Sequence, residues 1–210
     1  MKGIEERRVG YRKNLVLAAV AASLGSFSFG YNLGSLNVIT PIMLNCSNTT
    51  SDVIDGWGCF RVQETHWGYI SSFLCLGALL GCLTGGRLVD HLGRRGVILW
   101  NNVSYIVGLC LMLGSVHWTM LLMGRLFVGI GVGVSCVAVP MYLTEVSSWD
   151  VRGLIGSLHQ LMIVLGYLVS LILGLTPLVT LSFGWRLILG LDLIPCILQF
   201  TLAVGGLFRE

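Results

Sequence analysis

Gln160 stands in the string Gly156-Ser-Leu-His-Gln-Leu161, inside a long apolar stretch. A strongly polar side chain at such a place is costly in lipid and asks for a reason. Its carboxamide offers two donors and an acceptor, which suits a hydroxyl-rich ligand. Ile163 and Tyr167 follow at i+3 and i+7 and share its helical face. His159 points about 100° away round the helix and reads as an interhelical contact rather than a ligand. A second candidate string is Ser26-Phe-Ser-Phe-Gly-Tyr-Asn32, where Phe29 can stack on an apolar ligand face and Asn32 is polar but neutral. Asp192 is an acid about seven residues into the last apolar stretch. An acid there is a functional candidate by default, as a proton carrier or as the partner of an arginine in the bundle. Charges also gather in Gly86-Arg-Leu-Val-Asp-His-Leu-Gly-Arg-Arg95. Asp90 can accept hydrogen bonds from a helix N-terminus or pair with an arginine. Glu145 and Arg152 can pair with Arg94 or Arg95, although surface ion pairs contribute only about 1 kcal/mol or less each.

The elements that position these residues follow from composition. Of the chain, 55% is apolar and 11% charged, against about 25% charged in a soluble domain. Lipid must be the solvent for much of its surface. Six segments are long and apolar enough to span: Leu15 to Ile42, Trp67 to Val89, Val97 to Val116, Met120 to Leu143, Leu158 to Leu178 and Trp185 to Leu207. The first is read as a retained span and not a cleaved signal, because it runs on well past the length of a signal core. Residues 1–14 form the N-terminal tail, 15–207 the helical unit and 208–210 a short tail. Lys2, Arg7, Arg8, Arg12, Lys13, Arg87, Arg94, Arg95 and Arg152 all fall on the N-terminal side of the membrane. The positive-inside rule therefore predicts both termini in the cytoplasm. Arg125 and Arg186 fall near the outer ends of spans four and six.

The loop from about Met43 to His66 is then outside the cell. It holds two glycosylation acceptors, Asn45-Cys-Ser and Asn48-Thr-Thr. Asn102-Val-Ser lies inside span three and should stay unmodified. Cys46 and Cys59 share the outer loop, where a disulfide is allowed; the other five cysteines fall within spans. No Cys/His spacing suggests a metal. No nucleotide-binding loop, nucleophile elbow or cofactor motif is present, so an enzyme is not expected. A net charge of +3 gives no reason to expect nucleic acid.

Three of these strings carry a family resemblance. The Gly86 to Arg95 loop resembles the signature loop of the major facilitator superfamily. Gly124-Arg125, Pro140-Met-Tyr-Leu-Thr-Glu145 and Arg152-Gly153 resemble the sugar-porter signature. With Phe-Gly-Tyr-Asn32 and Leu-His-Gln160-Leu, they are similar to facilitative glucose transporters of the glucose type. The resemblance runs from about residue 11 to 200 and implies an all-α membrane protein, six transmembrane helices forming one half, a 3+3 repeat, of that fold. It implies that Phe29, Gln160 and Ile163 line a hexose path with Asn32 and Tyr167 beside it. It also implies that Asp90, Arg94, Arg95, Glu145 and Arg152 form a cytoplasmic gate. Proton-coupled porters of this kind carry Asp where Asn32 stands, so Asn32 implies passive uniport. Leu33 and Tyr167 depart from the residues common in the family and bear on which sugar is taken. The expected partners are a hexose, the lipid bilayer, and a C-terminal half or another copy, in the plasma membrane. The alternatives are a proton-coupled symporter, or a truncated chain that binds a full-length transporter without transporting.

Overall fold

The computed structural model describes residues 2–44, 62–146, 152–175 and 184–204, with side chains for all of these except residues 2–21, 94–95, 146, 152 and 155. The described residues form six helices: α1 Lys2–Leu44, α2 Glu64–Leu113, α3 Trp118–Val146, α4 Arg152–Gly174, α5 Gly184–Gly190 and α6 Leu193–Val204. Five stretches are long and apolar enough to cross a membrane: Glu64–Gly93, Gly96–Leu113, Trp118–Glu145, Gly156–Gly174 and Gly184–Val204. They match the second to sixth expected spans. The first expected span lies inside α1, a continuous helix of 43 residues.

Spans two and three, Glu64–Gly93 and Gly96–Leu113, are two helices that meet within α2 at a corner where the helical backbone is interrupted at Gly93. Gly93 has φ of 68° and ψ of 167°. Residues with a Cβ avoid that backbone region, so the glycine of the charged string is what permits the corner.

The sixth span departs from expectation. It is not one helix from Trp185 to Leu207 but two short ones, broken at Leu191–Asp192. Pro195 is the cause. It has no N–H to give to the Leu191 carbonyl four residues back, and its ring crowds that carbonyl. Ile194 N–H bonds Leu191 instead, at 3.2 Å in a tighter turn. The break falls at the one acid of the span.

Backbones approach closely along two seams. Gly77 and Gly81 of α2 face Gly129, Ile130 and Gly133 of α3; a Cβ at Gly81 would lie 2.2 Å from the Ile130 carbonyl oxygen. On the α1–α4 seam, a Cβ at Gly30 would lie 1.8 Å from the Ile163 carbonyl oxygen, and one at Gly166 would lie 2.1 Å from that of Phe27. In lipid, where apolar burial drives little association, such close backbone packing holds helices together. The main core gathers Ile39 and Met43 of α1, Tyr105 and Leu109 of α2, Val128 and Val132 of α3, and Trp185 and Ile188 of α5. α4 stays at the margin: Leu161, Val164, Leu168 and Ile172 are all exposed.

Candidate functional site

Two groups of polar residues lie on either side of α1. The first faces outward. α4 is clamped to α1 by the glycine seam and by a hydrogen bond between Ser26 Oγ and His159 Nδ1 at 2.6 Å. His159 is therefore an interhelical contact, as expected. The clamp leaves Leu33 and Asn37 of α1 and Gln160 and Tyr167 of α4 exposed. The Asn37 amide donates to the Tyr167 hydroxyl at 3.3 Å. Asn37 also lines an open cleft with Thr40, Gln63 and Glu64, between the end of α1 and the start of α2. Polar groups thus run from the middle of α4 to one end of the bundle.

The second group is buried. Asn32, Arg125 and Asp192 are each 1% exposed. The Asn32 side-chain amide donates to the Ser28 carbonyl at 3.0 Å and to Asp192 Oδ2 at 2.5 Å. Both of its protons are engaged. Arg125 Nη1 donates to the Asn32 backbone carbonyl at 3.2 Å. Asn32 therefore stands between an acid on the α5–α6 break and a base on α3. Nearby, the Tyr31 hydroxyl donates to the Ile188 carbonyl at 2.6 Å, and Ser28 Oγ lies 3.5 Å from Cys196 Sγ. Charges this deep in a bundle are costly unless partnered.

Of the expected ligand residues, Gln160 and Tyr167 share the exposed face, Phe29 and Ile163 are half-buried, and Asn32 turns inward. Phe29 packs against the main core. Asn37 was not among the expected residues; its position four residues after Leu33 and eight after Phe29 on the same helix was the available signal. Arg125, expected near one end of its span, turns its side chain into the bundle and is buried there. An arginine about seven residues into an apolar helix was the clue. Arg186 is anchored differently: Nη2 donates to the Ser115 carbonyl at 2.8 Å, and the guanidinium lies 4.7 Å from the Trp185 ring centre.

Of the expected gate, Asp90 and Glu145 are exposed, while the side chains of Arg94, Arg95 and Arg152 lie outside the described residues. Asn45, Asn48, Cys46 and Cys59 lie outside them too. Asn102 is fully buried in α2, which fits its expected lack of modification.

The family described as Sugar (and other) transporter matches residues 18–205. The chain is 34% identical over 199 residues to Facilitated glucose transporter protein 1 of Caenorhabditis elegans, covering 90% of this chain and 38% of that protein. It is 38% identical over 197 residues to Solute carrier family 2, facilitated glucose transporter member 5 of Equus caballus, again covering 90% of this chain and 38% of the relative. The chain thus spans well under half the length of these relatives. Among solved structures, the xylose transporter XylE from E. coli in an inward open conformation matches with a TM-score of 0.68 at 21% identity, covering 91% of this chain and 48% of that one. XylE bound to 6-bromo-6-deoxy-D-glucose matches with a TM-score of 0.70 at 21% identity, covering 92% and 45%. These likenesses are to about half of a major facilitator fold.

Proposed function

The chain belongs to the Sugar (and other) transporter family, and on that premise we propose that it supplies the first six-helix half of a passive hexose transporter, most simply one for glucose. The observation that carries this reading is the exposed polar face of α1 and α4. Gln160, Tyr167 and Asn37 stand there among apolar residues, where hydrocarbon would leave their donors and acceptors unmet. A water-filled path between two halves would meet them. The hexose is supplied by the relatives, which are facilitated glucose transporters by name. Gln160 is the primary sugar ligand, Tyr167 and Asn37 shape the outer part of the path, and Phe29 and Ile163 form its half-buried wall. Asn32 backs the wall rather than reaching the sugar.

Passive movement is the reading because α1 and α4 carry no acid on that face among the described residues, Glu64 of α2 lying only at its end, and Asn32 cannot titrate. Alternating access comes from one half rocking against the other. The cytoplasmic charges at Asp90, Arg94, Arg95, Glu145 and Arg152 hold the inner end shut in the outward-facing state. Both termini lie in the cytoplasm, the protein resides in the plasma membrane, and Asn45 or Asn48 carries glycan.

The test is labelled-glucose uptake in transporter-deficient cells by this chain joined to the C-terminal half of a relative. Saturable, stereospecific uptake that Gln160→Leu lowers at least tenfold in affinity is expected; one lost hydrogen bond of about 1.4 kcal/mol corresponds to tenfold. Uptake unchanged in that variant would remove Gln160 from the path, and no uptake by any joined form would defeat the reading.

A further inference from the structure

Most of the α1–α4 seam is glycine against its neighbour helix. Gly30 faces the Ile163 carbonyl, Gly166 faces that of Phe27, and Gly34 faces Tyr167 and Ser170. Such contacts let two backbones come close, but they do little to fix how either helix is turned about its axis. A hydrogen bond has direction, and Ser26 supplies one. Hydroxyls inside helices commonly bond a carbonyl of their own helix. Thr40, Ser71, Ser72, Ser157 and Ser170 all do so. Ser26 is fully buried and reaches instead across the seam to His159 Nδ1 at 2.6 Å.

This clasp lies about one turn before the Gly30–Ile163 contact on both helices. Earlier on α4 the seam ends. A Cβ at Gly156 would meet nothing within 4 Å among the described residues, and Leu154, Gly156 and Ser157 are exposed. His159 is thus where α1 first grips α4, and Gln160 is the next residue. Any turn of α4 about its axis carries both side chains together. At the outer radius of a helix, about 5–6 Å, a rotation of about 10° moves a group by about 1 Å. That is enough to spoil the length or angle of a hydrogen bond.

We propose that His159, clasped by Ser26, is a positioning residue for Gln160: the pair fixes the rotation of α4 and with it the pattern of hydroxyls that the Gln160 carboxamide fits. The pair's role in selection rests on the reading of Gln160 as the sugar ligand; the clasp itself does not. Epimers of a hexose differ in the direction of one hydroxyl, so a carboxamide held at one angle tells them apart. Loosening the clasp weakens the fitted sugar more than its epimers, and selectivity falls together with affinity.

The test has two arms. In the first, histidine-selective nitrogen NMR on the purified chain in lipid nanodiscs reads the clasp. The ring resonances that His159→Asn removes should shift in Ser26→Ala; unmoved resonances would overturn the clasp. In the second arm, uptake is measured for the chain joined to a C-terminal half. Ser26→Ala and His159→Leu should each raise KM for glucose about fivefold, the scale of one weakened hydrogen bond, with kcat little changed. Each should also narrow the preference for glucose over galactose and mannose by a similar factor. The two together should add little to either alone, because both remove the same bond. His159→Asn should restore most of the affinity and preference, since its carboxamide can stand where Nδ1 stands and can donate or accept. His159→Gln, with its carboxamide one methylene farther out, should not. A lowered melting temperature with KM and sugar preference unchanged would make the clasp structural only and overturn the positioning role. If Gln160→Leu leaves uptake unchanged, or no joined form transports, the sugar-transport reading fails and the positioning role falls with it, while the NMR result stands.

Discussion

Asn32 holds three helices through one residue. Its amide reaches the α5–α6 break, its own helix takes the second proton, and its carbonyl receives Arg125 of α3. Asn32→Ala leaves the carbonyl in place but strips Asp192 of its donor. Hydrogen bonds to charged groups contribute about 1.5–3 kcal/mol, so thermal unfolding of the purified chain should show a loss of that order. Asn32→Asp should be worse, because it sets a second acid against the first; an equal or smaller loss would mean that Arg125 can serve both. Tyr31→Phe removes the bond to the Ile188 carbonyl and should cost about 1 kcal/mol in the same measurement. At this scale the sequence was partly legible. Gln160 and Asp192 stood out because polar groups are rare in apolar runs. The partnership of Asn32 with Asp192 did not, because the two are 160 residues apart and no spacing rule reaches so far. The burial of Arg125 was not legible either, because hydropathy gives depth along a helix and not the direction a side chain takes.

The helices owe their arrangement to where side chains are missing. A leucine at Gly81 would drive atoms into the α3 backbone at Ile130. Gly81→Leu should cost about 3 kcal/mol or more, the upper end for overpacking, as a lowered melting temperature in detergent. Gly68→Ala is the contrast: nothing lies within 4 Å of the added Cβ, so the lower conformational entropy of the unfolded chain should leave it neutral or up to about 1 kcal/mol more stable. Gly93→Ala should lose roughly 1–3 kcal/mol, because an L-residue must then take a positive-φ, extended-ψ backbone that is nearly glycine's alone. The existence of helices and most of the spans was readable from apolar length alone. The break in the last span was less so, since its flanks are apolar enough to look continuous. Pro195 was present to be read, yet its effect falls four residues upstream, on the carbonyl of Leu191.

As a whole, the bundle is unevenly enclosed. α3 lies deep, while α4 shows an exposed face that mixes apolar residues with Gln160 and Tyr167. That face has no counterpart among the described helices, in keeping with relatives more than twice as long. The split sixth span bears also on how the molecule is made. Residues 184–204 must leave the translocation machinery as a segment with an acid near its middle, and a charge there adds about 2.5–3.5 kcal/mol to insertion. In an insertion reporter, the isolated segment should enter the membrane less often than its Asp192→Leu form. Within the whole chain the difference should shrink, because α1 is already there to receive it. The first helix made thus acts as an acceptor for the last, and the order of synthesis becomes part of what makes the sequence viable.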